Sequence, residues 1–166
     1  MDWWLHRRLP RCHTTSKRSN YTFKLFSIME IYLIRHTTPD VAKGICYGQT
    51  DLDIDKDLFE EELKIIQNKL PNDISKVYSS PLRRCTVLAQ HLFSNFETDD
   101  RLMELNFGKW ENKNWNDLDQ TELNHWMADF VNVPASNGEN YTQLYERNIQ
   151  FIKQLAAGTD NHFNGN

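Results

Sequence analysis

"IYLIRHTTPD", residues 31–40, runs four apolar residues straight into an arginine–histidine pair and then a polar loop. A short apolar run with β-branched Ile31 and Ile34 predicts a buried strand, spanning Met29–Arg35. Arg35 and His36 then fall at the carboxyl end of that strand, the edge of an α/β sheet where ligands gather.

Outward from this stretch, apolar periodicity alternates between strand and helix. His36 to Lys56 reads as a loop broken by Pro39, Gly44 and Gly48. "DLFEEELKIIQNKLP" (57–71) places Leu58, Phe59, Leu63, Ile66 and Leu70 at helical spacing before Pro71. "ISKVYSS" (74–80) predicts a second strand. Ser80 then predicts a helix cap, with Pro81 at the first helical position and Leu82, Cys85, Leu88, Ala89 and Leu92 along the helix. "RLMELNFGKWE" (101–111) is irregular, and "NWNDLDQTELNHWMADF" (114–130) predicts one or two short helices. A last helix carries Tyr141, Leu144, Tyr145, Ile149, Ile152 and Leu155 and is expected to end at Gly158. Strands alternating with helices predict an α/β fold: a three-layer arrangement, mainly parallel sheet, with helices on both faces.

Composition narrows the class. The chain has 166 residues, 39% hydrophobic and 25% charged, with five Trp and nine Phe, as suits one globular domain. No apolar run reaches the ~20 residues that cross a bilayer. The three cysteines (Cys12, Cys46, Cys85) form no CxxC pair, which points away from a disulfide framework and towards a reducing, cytoplasmic setting. Net charge is −4, yet residues 1–28 carry six Lys/Arg against Asp2 alone, leaving −9 for the remainder. That acidic body offers no basic stripe for nucleic acid. Residues 1–28 lack sustained periodicity and are expected to be a basic extension outside the domain, which would occupy 29–166. Their Arg- and Ser-rich make-up also resembles a transit peptide.

Two strand ends thus carry chemistry: Arg35–His36, and "SSPLRRC" (79–85) at a helix start. Backbone N–H groups at a helix start favour anions, an arginine grips phosphate bidentately, and a neutral imidazole can attack phosphorus. Together, "LIRHTTPD", "YSSPLRRC" and "RLMELNFGKWE" resemble the histidine phosphatase (phosphoglycerate mutase-like) superfamily. The resemblance implies that His36 accepts the phosphoryl group, that Arg35 and Arg84 bind its oxygens, and that Glu104 protonates the leaving oxygen. Thr37 stands where the family usually has glycine and adds a hydroxyl at the pocket rim, where Gln49 of the Tyr47–Gly48 turn is also expected. "GICYGQTDLDI" (44–54), "ELNFGKWE" and "VPASNGEN" (133–140) are similar to the α-ribazole phosphatase branch. A cofactor-independent phosphomonoesterase is implied, acting on a small phosphorylated metabolite such as α-ribazole 5′-phosphate in cobalamin assembly. The family's second histidine follows an apolar strand; His162 has none before it and receives no such role. The chain is therefore expected to be a C-terminally incomplete member, and a non-catalytic remnant is the rival reading.

Other patterns are weaker. "CHTTSKR" (12–18) has the Cys-x5-Arg spacing of cysteine phosphatases but neither a preceding strand nor an internal glycine. "DLDIDKDLFEEE" (51–62) spaces its acids like a calcium loop but places Lys56 where the turn needs glycine. The six histidines show no metal spacing, so no metal is expected. Phe107 and Trp110 are expected in the core, Arg83 in solvent, and Glu111 either in an ion pair or facing water.

Overall fold

The computed structural model describes residues 30–160. The basic extension, the Cys12–Arg18 pattern and His162 lie outside the described residues.

Asp55 opens the first helix. Its carboxylate accepts the N–H groups of Asp57 and Leu58, satisfying two donors that a helix start leaves unpaired. Helix α1 follows over Lys56–Gln67 and buries Phe59 and Leu63, one turn apart. Both pack against Leu88 of α2 (Arg83–Leu92), with Ile54, Ile66, Val87 and Leu92 around them. The α2 start departs from expectation. Ser80 Oγ accepts only the Leu82 N–H, at 3.4 Å, and the first helical residue is Arg83. A distant carboxylate takes over the local cap: Asp51 accepts the Arg83 N–H at 2.6 Å. Leu82, freed from the helix, is buried.

Between these helices runs β1 (Tyr78–Ser79), paired in parallel with β2 (Glu97–Thr98). The strand expected over 74–80 is thus two residues long. The strand expected over 29–35 is not formed among the described residues. Its segment carries no ladder, and Ile31, Tyr32 and Leu33 are 47%, 50% and 89% exposed. A strand exists only within a ladder, and no described ladder includes this segment. The fold remains α/β with a parallel pair, and the described sheet stops at two strands.

A second core is built around Trp110. Residues 44–46 lie antiparallel to 112–115 through Cys46 N to Lys113 O, Asn112 N to Cys46 O and Trp115 N to Gly44 O. Cys46, Trp110, Leu118 and Ala135 are buried there beneath Phe107, Trp115, Leu123 and Trp126. Short 3-10 turns at Gly108–Trp110 and Trp115–Asp117 lead to α3 (Gln120–Ala128), capped by Asp119. Gly108 has φ +58°, and a Cβ there would sit 2.1 Å from the Ser136 carbonyl, so only glycine lets the 106–111 and 135–139 segments meet. The last helix, α4 (Tyr141–Asp160), continues through Gly158. Its inward face holds Leu144, Arg147, Asn148 and Phe151, whereas Tyr141, Tyr145 and Ile152 are exposed. Among the described residues no helix is long and apolar enough to cross a membrane.

Candidate active site

His36 sits in a loop that is tied down on both sides. Asp40 N donates to Asp53 O and Asp55 N to Thr38 O, both at 2.9 Å, clamping residues 38–40 against the approach to α1. Glu62 of α1 accepts from the backbone N–H and hydroxyl of Thr38. The His36 ring is held by its own neighbour: Nδ1 lies 2.7 Å from the Thr37 carbonyl. A carbonyl can only accept, so Nδ1 carries the hydrogen and Nε2 keeps the lone pair. Burial lowers the His36 pKa, the Thr37 contact pulls the other way, and the nearby Arg84 and Arg35 charges lower it further. The net direction is down, and the imidazole is neutral near pH 7.

Arg84 is 1% exposed, buried more completely than any position in the Arg35–His36 segment. Its guanidinium donates to two neutral acceptors, Gly48 O at 2.6 Å and Thr50 O at 2.9 Å, and lies 5.4 Å from the Tyr47 ring centre. Nε has no partner, and among the described residues no carboxylate forms an ion pair with it. A buried cation without an anion costs several kcal/mol, a cost that an anion entering the site would offset. Gly48 makes the arrangement possible, because a Cβ there would lie 1.9 Å from the Leu105 carbonyl.

Arg35, His36, Arg84 and Glu104 line one cleft of about 610 Å³, with Tyr141 and Tyr145 on the α4 side. Glu104 is exposed. Its carboxylate accepts the Leu105 N–H at 2.8 Å, and its carbonyl accepts from Gln49 Nε2 at 3.2 Å and Arg147 Nη2 at 2.9 Å. Thr37 is buried with an unpartnered hydroxyl. It lines a smaller cleft of about 410 Å³, shared with Arg35 and His36, on the α1 side. Gln49 lines neither cleft; its side chain steadies the Glu104 backbone instead. Two guanidinium groups, a neutral imidazole and a carboxylate around one opening can bind a tetrahedral dianion, offer it a lone pair and move a proton.

A sequence model of the histidine phosphatase superfamily (branch 1) matches residues 31–163. The chain belongs to the histidine phosphatase superfamily. Among curated proteins, a Hydrogenobacter thermophilus protein named "Putative phosphoserine phosphatase 2" is 26% identical over 135 residues, covering 76% of this chain and 66% of that protein. Among solved structures, the alpha-ribazole phosphatase from Shigella flexneri is 22% identical with a TM-score of 0.63, covering 70% of this chain and 61% of that one. A mycobacterial glucosyl-3-phosphoglycerate phosphatase is 20% identical with a TM-score of 0.64, covering 74% and 61%. These structures share the histidine phosphatase fold. The chain spans about two thirds of the length of the relatives it matches.

Several residues that build this histidine phosphatase site were not singled out by the sequence. Arg147 donates to the carbonyls of Arg101, Met103 and Glu104 and pairs with Glu139, which in turn accepts the Asn106 N–H. Glu111 faces neither an ion pair nor open water; it accepts from Gln49, Thr50 and Phe107. A glutamate and an arginine eight residues apart around a helix start are the one local hint. The acids of 51–62 are taken up elsewhere: Asp51 caps α2, Asp53 pairs with Arg83, Asp55 caps α1, and Glu62 holds Thr38. Among the described residues no group of acids, histidines and cysteines could hold a metal. Cys46, its thiol pushed up to about 12 by burial and by Glu111, serves packing.

Proposed function

We propose that the chain is a phosphomonoesterase working through a phosphohistidine. Nε2 of His36 attacks phosphorus in line, and the ester P–O bond breaks as Arg35 and Arg84 hold the phosphoryl oxygens. The departing alkoxide takes its proton from Glu104. Water then attacks the phosphohistidine and gives a proton back to Glu104, and inorganic phosphate leaves. The observation that carries this reading is the buried Arg84 guanidinium, satisfied only by neutral carbonyls and with Nε free, close enough to lower the His36 pKa by its charge.

For the substrate, the proposal is α-ribazole 5′-phosphate. Its support is the likeness of residues 44–54 and 133–140 to that branch, the Shigella flexneri relative of that name, and the exposed Tyr141 and Tyr145 beside the cleft, which suit an alcohol that carries an aromatic base. The name of the Hydrogenobacter relative makes phosphoserine the second substrate to try.

Phosphate release from both esters, by the parent and by His36→Ala, tests the mechanism. Release by the parent alone, with an acid-labile phosphoryl group trapped on the protein, is expected. Equal release by His36→Ala, or an acid-stable phosphoprotein, would rule the mechanism out.

A further inference from the structure

Arg84 lacks a carboxylate partner, yet a carboxylate lies one peptide away. The planar peptide unit between Gly48 and Gln49 has its C=O on Arg84 Nη2, at 2.6 Å, and its N–H on Glu111 Oε1, at 2.9 Å. At the next residue the two contacts fall on successive peptide units. Thr50 presents its carbonyl to Arg84 Nη1 at 2.9 Å, while its N–H and hydroxyl both donate to Glu111 Oε2. Phe107 N–H adds a second bond to Oε1, at 3.1 Å, tying the carboxylate to the 3-10 turn at Gly108–Trp110.

We propose that Glu111 is a positioning residue that orients Arg84 for phosphate through the Gly48–Thr50 backbone; the proposal rests on the phosphatase reading above. A negative charge on the N–H side of a peptide polarises it, strengthening its carbonyl as an acceptor. Glu111 thereby balances the buried guanidinium from a distance. A carboxylate bound directly to Arg84 would fill the same donors that an incoming phosphoryl group needs. Placed one peptide away, it steadies the guanidinium and leaves Nε free. The four donors converging on Glu111 also fix where the two carbonyls sit, and with them the plane of the Arg84 fork.

The test is a double-mutant cycle on the full chain, with inorganic phosphate as the probe and calorimetry as the readout. Glu111→Gln places an NH2 group against at least one pair of donors. It should weaken phosphate binding about tenfold, the loss of one well-oriented charged hydrogen bond. In an Arg84→Met background the same change should cost nothing further. A purely structural Glu111 would lower the melting temperature without this coupling, so melts are run alongside. An equal loss in both backgrounds, or parental affinity in Glu111→Gln, would overturn the proposal while leaving the phosphatase reading intact. A parent that binds no phosphate would overturn both. If Glu111→Gln does not fold, Thr50→Val removes one of the four donors with the backbone kept, and additivity in its cycle with Arg84→Met would be equally decisive against the proposal.

Discussion

Arg147 and Glu104 are joined through the backbone: Nη2 of Arg147, in the second turn of α4, donates to the Glu104 carbonyl at 2.9 Å. The same guanidinium binds the carbonyls of Met103 and Arg101 at 2.6 and 2.7 Å and forks onto both Glu139 oxygens at 3.0 Å. An irregular segment without a strand partner is thereby held at the cleft by one largely buried side chain.

Removing that side chain should be costly. Arg147→Ala removes one donor from each of three carbonyls and two from Glu139, and should destabilise the protein by roughly 2–4 kcal/mol. Arg147→Lys should recover little, because an ammonium cannot reproduce the fork. Urea unfolding of the three proteins checks both statements; full stability in the lysine variant would contradict the account.

Acid should loosen the same framework. Burial alone would raise the Glu111 and Glu139 carboxyls, but hydrogen bonds from Thr50, Gln49 and Phe107 on one, and from Arg147 and Asn106 on the other, outweigh it. Both folded-state values are therefore lowered. Their contribution to stability is complete above the unfolded value of about 4.3 and disappears as pH falls through the folded values. Melting temperature followed downward from pH 6 should drop in the parent and drop less steeply in Glu139→Gln.

His36 titrates in the opposite chemical sense but with the same sign. Its folded pKa is lowered, chiefly by burial, so the neutral ring persists below the ordinary value of about 6.5. The acidic limb of the rate profile should lie below pH 6.5, with the His36 limb flat above it. An NMR titration identifying the ring by its absence in His36→Ala would give the midpoint, and a midpoint above about 6.5 would be incompatible with the buried geometry.

The exposed segment 31–34 makes its own prediction. Leu33 is 89% exposed, so Leu33→Lys should change stability by no more than about 0.5 kcal/mol. A charge in an exposed apolar segment should also suppress association between chains. Light scattering and melting curves measure the two effects. A loss of several degrees in melting temperature would show that Leu33 is buried against a neighbour.

Local chemistry made much of this protein readable from its residues alone. The helices at 56–67, 83–92, 120–128 and 141–160 follow from apolar spacing, because a helix satisfies its backbone within itself. The family resemblance carried by three short motifs pointed to Arg35, His36, Arg84 and Glu104, and these four line one cleft. What escaped the sequence are features that depend on a distant partner. The apolar run at 31–34 has every local mark of a strand, yet pairing decides strands and no described neighbour pairs with it. Ser80 looked like the cap of α2, but Asp51, 32 residues away, took that place. Glu111 looked like a surface acid, and only the fold shows four donors converging on it. The residue types and their order determined the chemistry available; the folded chain alone decided which charges are buried, what holds them, and which buried arginine has no carboxylate partner among the described residues.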